Sequence, residues 1–253
     1  MRTILNAPIA VFFGVLIGLW ASSWLGVFLR GKLHPLKENQ HDSDLVTGAI
    51  LTLLGLLIGF SFSMAISRYD QRKSCEEEEA NAIGTEYVRA DLLPQTEAAT
   101  IRGLLVKYLQ QRIEYYQLRD PHRLSELATQ TTQLQNEMWV QIKSAAAANP
   151  TPVMATAVTG MNDVLNTQGY TQAAWWNRLP VAVWLLMGAI SLVCSALIGY
   201  TAERPKGMLF LMVPLAVSIS FLLIADIDSP RGGLIRVTPR NLISLQQSIP
   251  ALE

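Results

Sequence analysis

LVTGAILTLLGLLIGFSFSMAIS, residues 45–67, contains no charged side chain, and RYDQRKSCEEEEANAIGTEYVRADLL, residues 68–93, follows it directly. The first stretch is long enough to cross a bilayer as a helix, at about 20 residues per crossing. The second is too polar to lie in hydrocarbon. Their junction predicts one long helix that leaves a membrane and continues into water. Such a helix suits a channel or a membrane-coupled sensor better than an enzyme.

The rest of the chain agrees with a membrane reading. Half of its 253 residues are apolar and 16% are charged, against about 25% in ordinary soluble domains. Charge is absent from four windows, Thr3–Leu29, Leu45–Ser67, Leu179–Ala202 and Gly207–Ala225. At 1.5 Å per residue each reaches across roughly 30 Å of hydrocarbon. The first window runs well past the 7–15 apolar residues of a signal-peptide core, so it reads as a retained span. A formal net charge of zero gives no basis for nucleic-acid binding.

The order is therefore two spans (1–67), a middle region (68–177), two further spans (178–226) and a tail (227–253). The middle region reads as helices cut by proline. Pro94 ends the extension of the second span. A helix over Thr96–Leu118 places Ile101, Leu104, Leu105, Tyr108, Leu109, Ile113 and Tyr116 at three- and four-residue steps. Asp120-Pro121 and Thr151-Pro152 are helix starts. They open helices over Pro121–Ala148, with Leu124, Leu127, Leu134, Met138 and Ile142 on one side, and from Pro152 to Trp176. No alternating strand pattern is evident. Arg2, Arg68, Arg72, Lys73, Arg178, Arg231, Arg236 and Arg240 fall on the side shared by the termini and the middle region. Arg30, Lys32, Lys37, Arg204 and Lys206 fall on the other, so the excess of positive charge makes the first side cytoplasmic. Trp20, Trp24, Trp175 and Trp176 fit interfacial belts.

Candidate chemistry concentrates on the second span. Gly48, Thr52, Gly55, Gly59, Ser63 and Ser67 share about a third of the helix circumference. Gly55 and Gly59 form a GxxxG pair suited to close helix packing. The same face, or its border, can instead line a pore, with Thr52, Leu56, Phe60 and Ser63 facing the axis. Rings of Leu56 and Phe60 from several copies would make an apolar constriction of the kind that gates by dewetting. Beyond the span, Glu76, Glu77, Glu78 and Glu79 are consecutive and so cover all sides of a helix. They read as a solvated surface, as partners of Arg68, Arg72 or Lys73, or, for one or two of them, as an acidic ring that concentrates cations.

Elsewhere the chemistry is thin. His34 and His41, near Asp42 and Asp44, are weighed as metal ligands and set aside, as are Asp226 and Asp228. Cys75 and Cys194 lie in different layers and carry no metal motif. With no phosphate loop, nucleophile elbow, HExxH or paired CxxC, neither catalytic residues nor a cofactor are expected.

Two segments carry a resemblance. LLIGFSFSMAISRYDQRKSCEEEEANAIGTEYVRADLLP, Leu56–Pro94, and DIDSPRGGLIRV, Asp226–Val237, resemble a bacterial bestrophin-like membrane family, and the four-span order matches along nearly the whole chain. Gly59-Phe60 followed by Arg68 is similar to the Gly-Phe…Arg pattern of the bestrophin pore helix. The resemblance implies a pentameric ion channel whose second span lines the pore. Its neck of apolar rings spaced by four would fall on Thr52, Leu56 and Phe60, with Thr52 departing in polarity. Asp226 and Asp228 stand alone where animal members carry an acid-rich calcium clasp, which is a further departure.

Together these readings give an all-α integral membrane protein of four transmembrane helices, with a helical cytoplasmic domain inserted between the second and third. The expected assembly is a bestrophin-like homo-oligomer, a pentamer, in a bacterial inner membrane. Its expected partners are lipid and inorganic ions. A non-conducting scaffold or sensor that binds a cytosolic partner is the alternative.

Overall fold

A computed structural model of the chain describes residues 7–33, 40–202 and 208–249. They form helices α1 (Pro8–Leu33), α2 (Gln40–Arg89), α3 (Gln95–Gln117), α4 (Pro121–Ala148), α5 (Pro152–Trp176), α6 (Val181–Thr201), α7 (Met208–Asp228) and α8 (Arg240–Ser248). A 3₁₀ turn, Ala90–Leu92, separates α2 from α3. No strand occurs among the described residues. Four helical stretches among the described residues are long and apolar enough to cross a membrane, and each overlaps one of the four uncharged windows. The connection expected at 30–44 is shorter than the charge pattern suggests, because α1 runs on to Leu33 and α2 begins at Gln40. His34 and the connection expected at 203–206 lie outside the described residues.

The chain divides into two compact units. The first comprises residues 1–69 and 178–236. Its apolar core joins Leu19 of α1, Leu54 and Ala65 of α2, Met187 and Cys194 of α6, and Phe221 and Ile224 of α7. α1 packs along α6 at glycine contacts that bring backbones together. A Cβ at Gly26 would lie 1.9 Å from the carbonyl oxygen of Ala196, and one at Gly199 would lie 1.9 Å from that of Ser23. Ser22-x-x-x-Gly26 and Ser195-x-x-x-Gly199 are both small-xxx-small pairs, the signature of close membrane-helix packing. The Ser22 hydroxyl donates to the Leu192 carbonyl at 2.7 Å across the same contact. Arg30 donates to the carbonyls of Thr201 and Ala202, satisfying the last turn of α6.

The second unit comprises residues 70–177 and 237–253. α3, α4 and α5 pack in sequence, and α8 lies against α3. The residues placed on the inner face of α3 by their spacing are buried, as are Leu127, Leu134, Met138 and Ile142 of α4. Asp120 accepts from the His122 amide at 3.0 Å and Thr151 Oγ1 accepts from the Met154 amide at 3.1 Å, so both proline starts are capped. One tryptophan departs from the interfacial assignment. Trp175 is buried edge-on against Tyr115 and Tyr116, with centroids at 5.3 and 5.5 Å, because it falls on the inner face of α5. Trp20, Trp24 and Trp176 are exposed.

The α1–α6 contact makes a definite prediction. Gly199→Val sets a branched side chain against the Ser23 backbone, which cannot yield as a side chain could. Overpacking of this kind typically costs about 1–3 kcal/mol. Thermal unfolding in detergent should show a clear loss of stability, whereas Gly14→Ala, where a Cβ meets nothing within 4 Å, should be silent.

Candidate functional site

α2 is 50 residues long without a break, and it belongs to both units. Leu45, Ala49, Thr52, Leu56, Phe60, Ser63, Ser67, Asp70, Ser74, Glu78, Asn81, Thr85 and Val88 follow one another at steps of three and four, and all are exposed. On an ideal helix turning about 100° per residue they occupy an arc of about 80°. One face of the helix is thus left uncovered by the described residues from Leu45 to Val88. In the span Leu56 is 54% and Phe60 60% exposed. The Thr52 hydroxyl donates to the Gly48 carbonyl at 2.9 Å, which leaves its oxygen lone pairs outward-facing and free to accept.

Gly55 and Gly59 flank this face. A Cβ at either would meet nothing within 4 Å, so any close packing at this pair comes from outside the chain. That separates them from Gly26 and Gly199, which pack within it.

The glutamate run splits. Glu77 and Glu78 are exposed and bracket the uncovered face, with Ser74 Oγ donating to Glu78 at 3.1 Å. Glu76 and Glu79 lie on the opposite side of α2 and are buried. Glu76 accepts from the backbone amides of Asn241 and Leu242 at 2.9 and 3.0 Å and from the Asn241 carboxamide at 2.7 Å. It therefore caps the N-terminus of α8, where a carboxylate is favoured by the free amides and the helix dipole. Glu79 forms a bidentate pair with Arg112 of α3, and the two are 0% and 2% exposed. Tyr116 and Thr171 donate to the same carboxylate at 3.3 and 3.2 Å. The guanidinium also lies over the Tyr115 ring, 4.4 Å from its centroid. Burial alone would lower the Arg112 pKa, but Glu79 and the neighbouring phenols more than reverse this and hold the charge firmly. Burial, with Glu79 beside it, pushes the Tyr116 phenol up.

Asp226 and Asp228 hold backbone. Asp226 accepts from the Leu234 and Ile235 amides, each at 2.8 Å, and Asp228 accepts from the Leu179 amide at 2.9 Å. The turn that follows them needs Gly233, because a Cβ there would fall 2.4 Å from the Asp226 carbonyl oxygen. No cluster of three or more metal-ligating side chains occurs among the described residues. Both cysteines are buried and free.

The sequence reading of the middle region missed two buried charged residues of the second unit, Glu86 and Arg112, and the capping role of Glu76. Arg112 did carry a signal. It falls between Leu109 and Ile113 on α3, in line with its apolar stripe.

A family model described as a Bestrophin-like domain matches residues 23–242. No curated protein matches the sequence. Among solved structures, a mutant of a bacterial bestrophin homologue from Klebsiella pneumoniae aligns with a TM-score of 0.64 at 14% identity, covering 94% of this chain and 99% of that one. Another structure of a bacterial bestrophin homologue from the same organism gives 0.60 at 16% identity, with the same coverage. A protein described only as a membrane protein gives 0.59 at 14% identity, covering 93% and 98%.

The buried pair predicts a thermodynamic asymmetry. Glu79→Leu alone strands the Arg112 charge and should cost about 3–5 kcal/mol. Combining it with Arg112→Met should restore a large part of the loss, because no buried charge is then stranded and only the Tyr116 and Thr171 hydroxyls lose their acceptor. Thermal denaturation of the single and double variants checks this, and equal losses in both would contradict it.

Proposed function

This chain belongs to the bestrophin-like family, and from that membership we propose that it is one subunit of an oligomeric ion channel with the uncovered face of α2 turned to a central axis. The observation that carries the reading is the continuity of that face. Lipid can cover Leu56 and Phe60, but it cannot cover Asp70, Ser74, Glu78, Asn81 and Thr85, which continue the same arc. An aqueous axis accommodates both halves, and a single chain cannot enclose one.

In this reading five copies form a ring in a bacterial inner membrane, with residues 68–177 and both termini in the cytoplasm. Thr52, Leu56, Phe60 and Ser63 line the pore. Leu56 and Phe60 supply an apolar constriction, which conducts when it is wide enough to hold water. Gly55 and Gly59 sit beside the face, where neighbouring copies approach. Glu77 and Glu78 form the acidic ring, which raises local cation concentration and repels anions. Glu76 and Glu79 serve the fold behind it.

Native mass measurement in detergent should give a five-subunit particle. A monomer or dimer would instead favour a non-conducting scaffold. In reconstituted vesicles Phe60→Ala should widen the constriction and raise ion flux several-fold over the unmodified protein. Glu77→Gln with Glu78→Gln should move the reversal potential in a salt gradient toward zero, by removing the cation preference. An unmoved potential would eliminate the acidic ring.

A further inference from the structure

Glu86, on α2, is 0% exposed, and neither of its carboxylate oxygens has a hydrogen-bond partner. The other two buried glutamates of the helix are fully engaged, Glu76 by three donors and Glu79 by Arg112, Tyr116 and Thr171. Glu86 lies against Gly160 of α5. A Cβ at that glycine would fall 2.0 Å from Glu86 Oε2 and 2.5 Å from Arg89 Nη1. The glycine is thus the notch that lets α5 close over the carboxyl group. The charged groups facing it are Arg89, from its own helix, and Asp163, from α5. A buried acid without partners is tolerated when it is neutral, whereas its ionised form needs water or a counter-charge.

We propose that Glu86 is a protonation switch for the α2–α5 contact: protonated, it lets the helices close at Gly160, and ionised, it favours an arrangement that admits water between them. Burial raises its pKa from 4.5 to about 8, partly opposed by Arg89 and reinforced by Asp163. The closed arrangement therefore retains the proton over a range in which an opened, hydrated one has lost it. Raising the pH from about 4.5 to about 8 favours opening, by about tenfold per unit across that window. Above it the dependence flattens. Glu86 directly follows Thr85 of the uncovered face, so opening shifts the distal end of that face. The consequence for ion flow rests on the channel reading above, whereas the switch itself does not.

The full-length protein in vesicles provides the test. Infrared difference spectra should show a protonated carboxyl band at pH 6 that is gone by pH 9 and is missing from Glu86→Gln, an isosteric variant. Hydrogen exchange of the amides around Glu86 and Gly160, corrected for its intrinsic pH dependence, should accelerate with pH in the natural protein and stay level in Glu86→Gln. A missing band at pH 6, or an unchanged exchange profile in the variant, would overturn the switch. Ion flux measured on the same vesicles separates the two readings. Flux that changes between pH 6 and 8 only in the natural protein supports coupling to the pore, and flux independent of pH removes it. Vesicles that pass no ions at any pH while the infrared and exchange changes persist would reject the channel and leave the switch standing.

Discussion

An unbroken helix of 50 residues is about 75 Å long at 1.5 Å per residue, while a bilayer offers about 30 Å of hydrocarbon. α2 must therefore satisfy two solvents along one continuous helix, and its side chains are sorted accordingly. One side supplies Leu54 and Ala65 to the apolar core of the first unit. The same helix later supplies Cys75, Ala80 and Ile83 to the buried interior of the second. The arc left uncovered from Leu45 to Val88 carries hydroxyl and polar side chains among apolar ones, and in the span exposure extends beyond it to Val46, Leu51, Leu53, Met64 and Ile66.

The buried polar groups behind that face show how low dielectric is handled in three ways on one helix. Glu76 is spent on the free amides of α8 and so ties the tail to the second unit. Glu79 is matched by a guanidinium, a phenol and a hydroxyl and enclosed by aromatic rings. Glu86 has no hydrogen-bond partner, and only the Arg89 guanidinium on its own helix opposes its burial. The first two arrangements lock structure, because removing either partner strands a buried group. The third is held only by its proton, which makes it the member of the set whose state follows the solvent.

Much of the architecture was legible in the chain. Uncharged windows marked the spans, since hydrocarbon excludes ionised groups. Proline with a preceding Asp or Thr marked the starts of α4 and α5, since it fits only the first turn. The three- and four-residue spacing of Ile101 through Tyr116 marked the inner face of α3. Reading Trp175 as interfacial failed because two adjacent tryptophans at a helix end point different ways, and only the packing of α5 on α3 buries one of them.

The candidate face was legible as an arc, because periodicity follows from helix geometry alone. Which glutamates belong to it was not. Four acids in a row occupy every direction around a helix, so the sequence is silent on their division. Only the placement of α3, α5 and α8 turns Glu76 and Glu79 inward and leaves Glu77 and Glu78 in water. The same holds for glycine. GxxxG drew attention to Gly55 and Gly59, while the close approach of one span's backbone to another within the described residues is made at Gly26 and Gly199. Composition and spacing determined the spans, the helices and the existence of a face, because these depend on neighbours in the chain. Partners distant in sequence decided which polar groups are buried and paired, because desolvation and hydrogen bonding depend on what the fold brings near.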